Sequence, residues 1–316
     1  MNGETAPAAP ATLDRRTVYI FLTRHGAIFV LADALILLGA INYGNTLAYL
    51  LAFLLGGLLF TGMLHTWRNL AGLALIGVAA RPVFAGEDAR FALRFDNRHG
   101  PARRGLMAVA VEPRRRRWVG PAACGAPAAF ALPAGDGGEV VITMPTARRG
   151  WLTLARVKIE SRYPLGVLRA WAYPVAAARC LVYPRPAGRL PLPRTAGGAG
   201  DSAGAGAGHD DFAGLRAYAP GDATRAIHWK SLARHPEVLV KRFEGRGAAT
   251  PLLSWAAAAP AGDTEARISQ LARWVLDAER AGLAYALALP GYTLPPGCGP
   301  AHRERCLAAL ALFTAP

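Results

Sequence analysis

Two apolar runs near the start of the chain, residues 26–41 and 46–64, constrain the fold more than any other feature. Only Asn42, Tyr43, Gly44 and Asn45 separate them. A helix crosses the hydrocarbon core of a bilayer with about 20 apolar residues. The second run meets that length, while the first is slightly short and contains Asp33. Two such runs so close together, with Arg24 before them and Arg68 after, read as a transmembrane helical hairpin over residues 26–65. Arg15, Arg16 and Arg24 precede the hairpin, Arg68 follows it, and the connecting turn is uncharged. The positive-inside rule therefore places both termini, including a tail of residues 1–25, in the cytoplasm. The first run lies too far along the chain to serve as a cleaved signal peptide. Asp33 is costly in lipid, and its expected place is against the second helix or a neighbouring subunit.

Composition adds less. The mean hydropathy of +0.21 is concentrated in the hairpin. The formal net charge is +15, but all except three of the 36 basic residues are arginine in a chain rich in alanine and glycine. Such a bias follows from genome composition as readily as from function. The densest basic run is Arg114–Arg117, preceded by Arg103 and Arg104. In a membrane-tied chain it suits anionic headgroups. It lacks the interleaved aromatics of a single-strand stacking surface, so no nucleic-acid partner is expected. Cys124, Cys180, Cys298 and Cys306 form no CxxC pair, which fits free thiols. Cys298, His302 and Cys306 supply three ligands where a structural zinc site needs four, so Cys306 reads as a buried thiol and no metal is expected.

Residues 66–190 have a β pattern. Residues 90–95, 106–112, 139–144 and 151–160 alternate apolar with polar, separated by turn residues at 97–100 and 134–138. Short strands at this spacing predict an antiparallel β-sandwich of immunoglobulin-like size. Residues 191–208 include TAGGAGDSAGAGAG and read as a flexible linker or loop.

The densest polar segment follows, from His209 to Glu244. Tyr218-Ala219-Pro220-Gly221-Asp222 has the chemistry of a tight turn. Asp222 then suits the cap of a helix running to Arg234, and residues 238–243 alternate like a strand. On that helix Ile227, Lys230 and Arg234 share one face, and Arg225, Trp229 and Leu232 another. His228 with Asp210 or Asp222 would suit a hydrolase or transferase, but no Ser or Cys nucleophile with an orienting acid stands nearby. Arg225 or Arg234 paired with Asp211 or Asp222 accounts better for the composition, as a network bracing turn and helix. The chain then carries no catalytic residue and no cofactor. Its candidate partner-binding residues are Tyr218, Gly221, Asp222, Arg225, His228, Trp229, Lys230 and Arg234. Beyond them, residues 265–281 form an amphipathic helix with Gly282 at its C-terminus, residues 283–289 a buried strand and residues 301–313 a closing helix. The whole reads as an α+β, multi-domain chain.

At these residues the chain resembles the bacterial domain of unknown function 58 family. The motifs are the turn YAPGD (residues 218–222), Arg225, IHWKSLAR (227–234) and LVKRFE (239–244), joined by the NYGN turn and RGWLTLARVKIESRYPLGVLRAW (149–171). The resemblance implies a protein of the bacterial inner membrane that works with a MoxR-type AAA+ ATPase, often beside a transglutaminase-like membrane protein. It also implies that residues 209–316 end in a reduced, von Willebrand factor A-like α/β domain. The first strand of such a domain would fall at residues 250–255, where the DxSxS metal-binding pattern is absent beside Ser254. The chain departs from the family of A domains there, and a metal-dependent adhesion site is not expected.

Overall fold

The computed structural model describes residues 11–13, 17–112, 122–193, 212–217, 239–243 and 250–314. It is a mixed α+β chain in which a pair of long apolar helices is followed by several β-sheets. Two compact units share the chain, one formed by residues 1–185 with 311–313 and the other by residues 186–310 with 314–316.

In the first unit, helix α1 spans Arg24–Tyr43 and helix α2 spans Thr46–Arg68. Both exceed the apolar runs because their ends are set by caps. Thr23 accepts from the Gly26 N–H and starts α1, and Gly44, at φ 61°, stops it. Asn45 at once caps α2, its Oδ1 accepting from Leu47 N at 3.0 Å and Ala48 N at 3.3 Å. The NYGN turn is therefore a left-handed stop joined to an N-cap. At a rise of about 1.5 Å per residue, 20 and 23 residues give roughly 30 and 35 Å, enough to cross a membrane. Leu31, Leu35, Leu38, Leu50, Phe53 and Leu54 stay exposed along them. Asp33 points at α2, where a Cβ on Gly56 would lie 3.8 Å from its Oδ2. Its buried Oδ1 has no hydrogen-bond partner among the described residues.

The strands of this unit are β1 (Ala11–Thr12), β2 (Tyr19–Leu22), β3 (Ala74–Ala80), β4 (Val83–Phe84), β5 (Asp88–Asp96) and β6 (Arg103–Glu112). They continue with β7 (Ala122–Ala123), β8 (Ala128–Leu132), β9 (Gly138–Pro145), β10 (Gly150–Ser161), β11 (Leu168–Ala172) and β12 (Val175–Tyr183). One sheet has the order β1-β3-β5-β9; the other runs β2-β11-β10-β12-β4, with β6 on β10 and β7 and β8 on β6. Alternation decides which residues are buried. Phe91, Leu93, Phe95, Val140, Ile142 and Met144 of the first sheet share one core with Leu106, Leu154, Val157 and Ile159 of the second. Within the segment 1–25, residues 11–12 pair with β3 and residues 19–22 pair with β11. The run Val18–Phe21 is β-branched and aromatic, which fits a sheet edge, but it is too short to stand out beside the hairpin.

The second unit holds β13 (Phe212–Ala217), β14 (Leu239–Phe243), β15 (Leu252–Ser254), β16 (Tyr285–Leu289) and β17 (Tyr292–Gly297), with helix α3 (Thr264–Arg280) and all but the last two residues of α4 (Pro300–Leu312). β15 and β16 are parallel and α3 connects them. Asp263 caps α3 by accepting from Ala266 N at 2.8 Å. Ile268, Leu271, Ala272 and Val275 bury one face of the helix with Trp274. Gly282 at φ 65° closes it, its N–H reaching Glu279 O at 3.1 Å while Leu283 N reaches Ala278 O at 3.0 Å. That bond pair is the Schellman motif. β17 pairs with β16 at the edge of the order β15-β16-β17, and Pro295 and Pro296 fall in the register shift between Leu294 and Gly297, where neither stands opposite a β16 residue.

Candidate functional site

The residues singled out by sequence, Tyr218, Gly221, Asp222, Arg225, His228, Trp229, Lys230 and Arg234, lie outside the described residues, as do Asp210, Asp211 and Arg114–Arg117. Their flanks are described. β13 and β14 are antiparallel, with Ala217 opposite Leu239 and Phe212 opposite Phe243. In the sequence, YAPGD (residues 218–222) follows β13 directly.

A densely bonded polar site lies at the foot of the helical hairpin. Gly26, in the first turn of α1, lies against the β10–β11 connection so closely that a Cβ there would sit 2.0 Å from Val167 O. Thr23 N donates to the same carbonyl at 2.9 Å. The Thr23 hydroxyl lies 2.8 Å from Gly166 O and 3.0 Å from Val167 O. On α2, the Thr66 hydroxyl is 2.8 Å from both Gly62 O and Tyr163 O. A single loop, residues 162–167, thus receives the start of one long helix and the end of the other.

Asn69, the cap of α2, uses its amide as a strand would. Its Oδ1 accepts from Arg104 N at 3.1 Å, and its Nδ2 donates to Arg104 O at 2.8 Å and Ser161 Oγ at 2.6 Å. Arg103 completes the joint and corrects its place in the expected basic patch: it is 1 % exposed. Its guanidinium donates to Asn97 Oδ1 at 2.7 Å, Asn69 O at 2.8 Å and Ala71 O at 2.9 Å. These carbonyls stand where the negative end of the α2 dipole lies, which suits a cation. Burial lowers the Arg103 pKa from its ordinary value, and the ring of acceptors is what lets the charge stay inside. Glu160 lies close in sequence on β10. Burial by itself would raise its pKa, but hydrogen bonds from Lys158 and Arg162 outweigh that and hold it below the usual carboxylate range.

In the second unit, Gln270 is fully buried on α3. Its Oε1 accepts from Leu190 N at 3.1 Å and its Nε2 donates to Leu190 O at 3.2 Å. Trp274 Nε1 reaches the same carbonyl at 3.0 Å. An extended segment, residues 186–190, is strapped along the helix in this way. A cleft of about 340 Å³ beside it is lined by Arg189, Pro260, Ser269 and Gln270. The amide that would otherwise face a ligand there is already bonded to Leu190. His302 Nε2 lies 2.9 Å from Tyr285 O, so that nitrogen carries the proton and donates. The Cys306 thiol, 3.5 Å from the same nitrogen, is pushed up to about 12 by burial. Cys298 is exposed, so the three candidate ligands do not share one environment. Among the described residues no group of three or more His, Cys, Asp or Glu is placed to hold a metal ion.

No family model, curated protein or solved structure matches the chain.

Proposed function

We propose that this chain is a membrane-anchored cytoplasmic adaptor or scaffold of the domain of unknown function 58 type. The hairpin spans the inner membrane with both termini cytoplasmic, and the protein acts with a MoxR-type AAA+ ATPase in assembling or maturing cell-envelope complexes. It performs no catalysis of its own. In this proposal the first unit is an immunoglobulin-like β-sandwich extended by β1 and β2. The second is a reduced von Willebrand factor A-like domain built on the β15–α3–β16 crossover, and the segment 218–238 meets the partner.

One observation carries the adaptor reading most: the foot of the hairpin is fixed to the sheet by Thr23, Thr66, Asn69 and Arg103. A joint in which backbone and side-chain groups are mutually bonded transmits position and force, which a scaffold under an ATPase requires and a floppy tether does not supply. Exposed apolar surface over the helices and two helix lengths near the hydrocarbon thickness support the anchor.

The test is co-purification of the full chain from membranes with the ATPase. Wild type should retain the ATPase, and Trp229→Ala and Arg225→Ala should lose it while thermal unfolding of the chain stays unchanged. Undiminished capture by both variants would show that the segment 218–238 is not the docking surface.

A further inference from the structure

The outer face of the larger sheet carries an unusual set of side chains beside the hairpin. The register places Tyr19 opposite Trp171 and Phe21 opposite Arg169, and Trp171 in turn opposite Glu160. Their neighbours Ile159, Ala170 and Ala172 belong to the core, so these residues occupy the other face. Tyr19 and Phe21 are 55 % and 67 % exposed. Tyr19 stacks on Trp171 with ring centroids 5.9 Å apart, and Arg169 lies 4.7 Å over the same indole. Lys158 and Arg162 flank them, and the one acid in the row, Glu160, is bound by both. The face is therefore aromatic with surplus positive charge.

Chain geometry limits how far this face can lie from the α1 terminus. Phe21 stands two residues before Thr23, the cap of α1. At no more than about 3.6 Å per residue it lies within roughly 7 Å of that cap, and Tyr19 within roughly 14 Å. The 20 residues of α1 match a hydrocarbon core of about 30 Å, and the headgroup layer adds roughly 5–7 Å on each side. If α1 spans the bilayer, Phe21 has no room to leave the interfacial zone.

We propose that this face, β2 and β11 with the end of β10, rests on anionic phospholipid headgroups. Tyr19, Phe21 and Trp171 would insert at the interface, and Arg162, Arg169 and Lys158 would pair with lipid phosphates. The inference rests on the reading of the hairpin as membrane-spanning. Aromatic rings with one polar edge favour the headgroup level, and each cation near an anionic surface strengthens binding about fivefold.

The experiment places the photoreactive analogue benzoylphenylalanine at position 21 of the full chain in nanodiscs of mixed phosphatidylcholine and phosphatidylglycerol. Position 141, on the exposed side of the other sheet, is the control. Expected are lipid adducts at 21 and none at 141, with phosphatidylglycerol over-represented. Arg162→Gln with Arg169→Gln should lower the ratio of phosphatidylglycerol to phosphatidylcholine adducts at least about fivefold. Absence of lipid adducts at 21 in a chain that resists carbonate extraction would overturn the proposal and leave the hairpin reading intact. A chain released by carbonate would overturn both.

Discussion

Asn69 in the first unit and Gln270 in the second do the same job with different surroundings. Each side-chain amide bonds both the N–H and the C=O of one distant residue, Arg104 or Leu190, as a neighbouring strand would. Asn69 sits at a helix end within a charged network that includes Arg103, Asn97 and Ser161. Gln270 sits mid-helix, fully buried and neutral, supported by Trp274 and by Arg273, which donates to Gly188 O. The contrast separates two uses of one device. At the foot of the hairpin the amide is one thread in a cooperative joint; on α3 it is a local clip for a strap.

Three substitutions break or sharpen that comparison. The largest effect is expected from Arg103→Ala, which leaves the buried carbonyls of Asn69 and Ala71 and the Asn97 amide without their donor. A loss of about 3 kcal/mol is expected, because several acceptors lose their donor at once and an unsatisfied buried group costs about 1–3 kcal/mol. Thermal unfolding of the full chain in detergent checks it, and an unchanged transition would show that the joint is not cooperative. Next comes Gln270→Ala, with a loss of about 2 kcal/mol from the unpaired Leu190 groups and the cavity left behind. Hydrogen exchange should rise at Leu190 and stay unchanged at Arg104; a rise at both would mean that the clip is not local. The smallest effect tests charge. Because the folded-state pKa of Glu160 lies below its ordinary 4.5, the carboxylate stabilises the fold fully above that value. The contribution is lost as pH falls through the lowered value. Glu160→Gln should therefore lower the melting temperature at pH 7 and flatten the acid limb of its pH profile, while Leu190 exchange, clipped by a neutral amide, keeps its pH dependence.

Much of the architecture is legible in the sequence because local chemistry and packing agree. Gly44 and Asn45 stop one helix and cap the next, Asp263 and Gly282 bracket α3, and the alternation in residues 90–95 and 151–160 marks strands whose ends run slightly further. The foot of the hairpin was hidden for a physical reason. Arg103 and Arg104 look alike in sequence, yet one lies inside and the other on the surface, and only the acceptors gathered from α2 decide which. Asn69, Gln270 and Gly26 act on residues far along the chain, so no periodicity announces them. A glycine in the first turn of a helix followed by a long apolar run was the available hint, since that position costs stability unless something must come close.

The contact of α1 with the β10–β11 loop also sets an order of events during biosynthesis. Thr23 meets Val167, a partner 144 residues away. When the apolar helices leave the ribosome, β2 has no neighbour, and closing so long a loop cannot begin until β11 has been made. Strand Tyr19–Leu22 is thus made well before its partner strand Leu168–Ala172 and pairs only once that strand exists. For that interval an aromatic edge stands open on the growing chain.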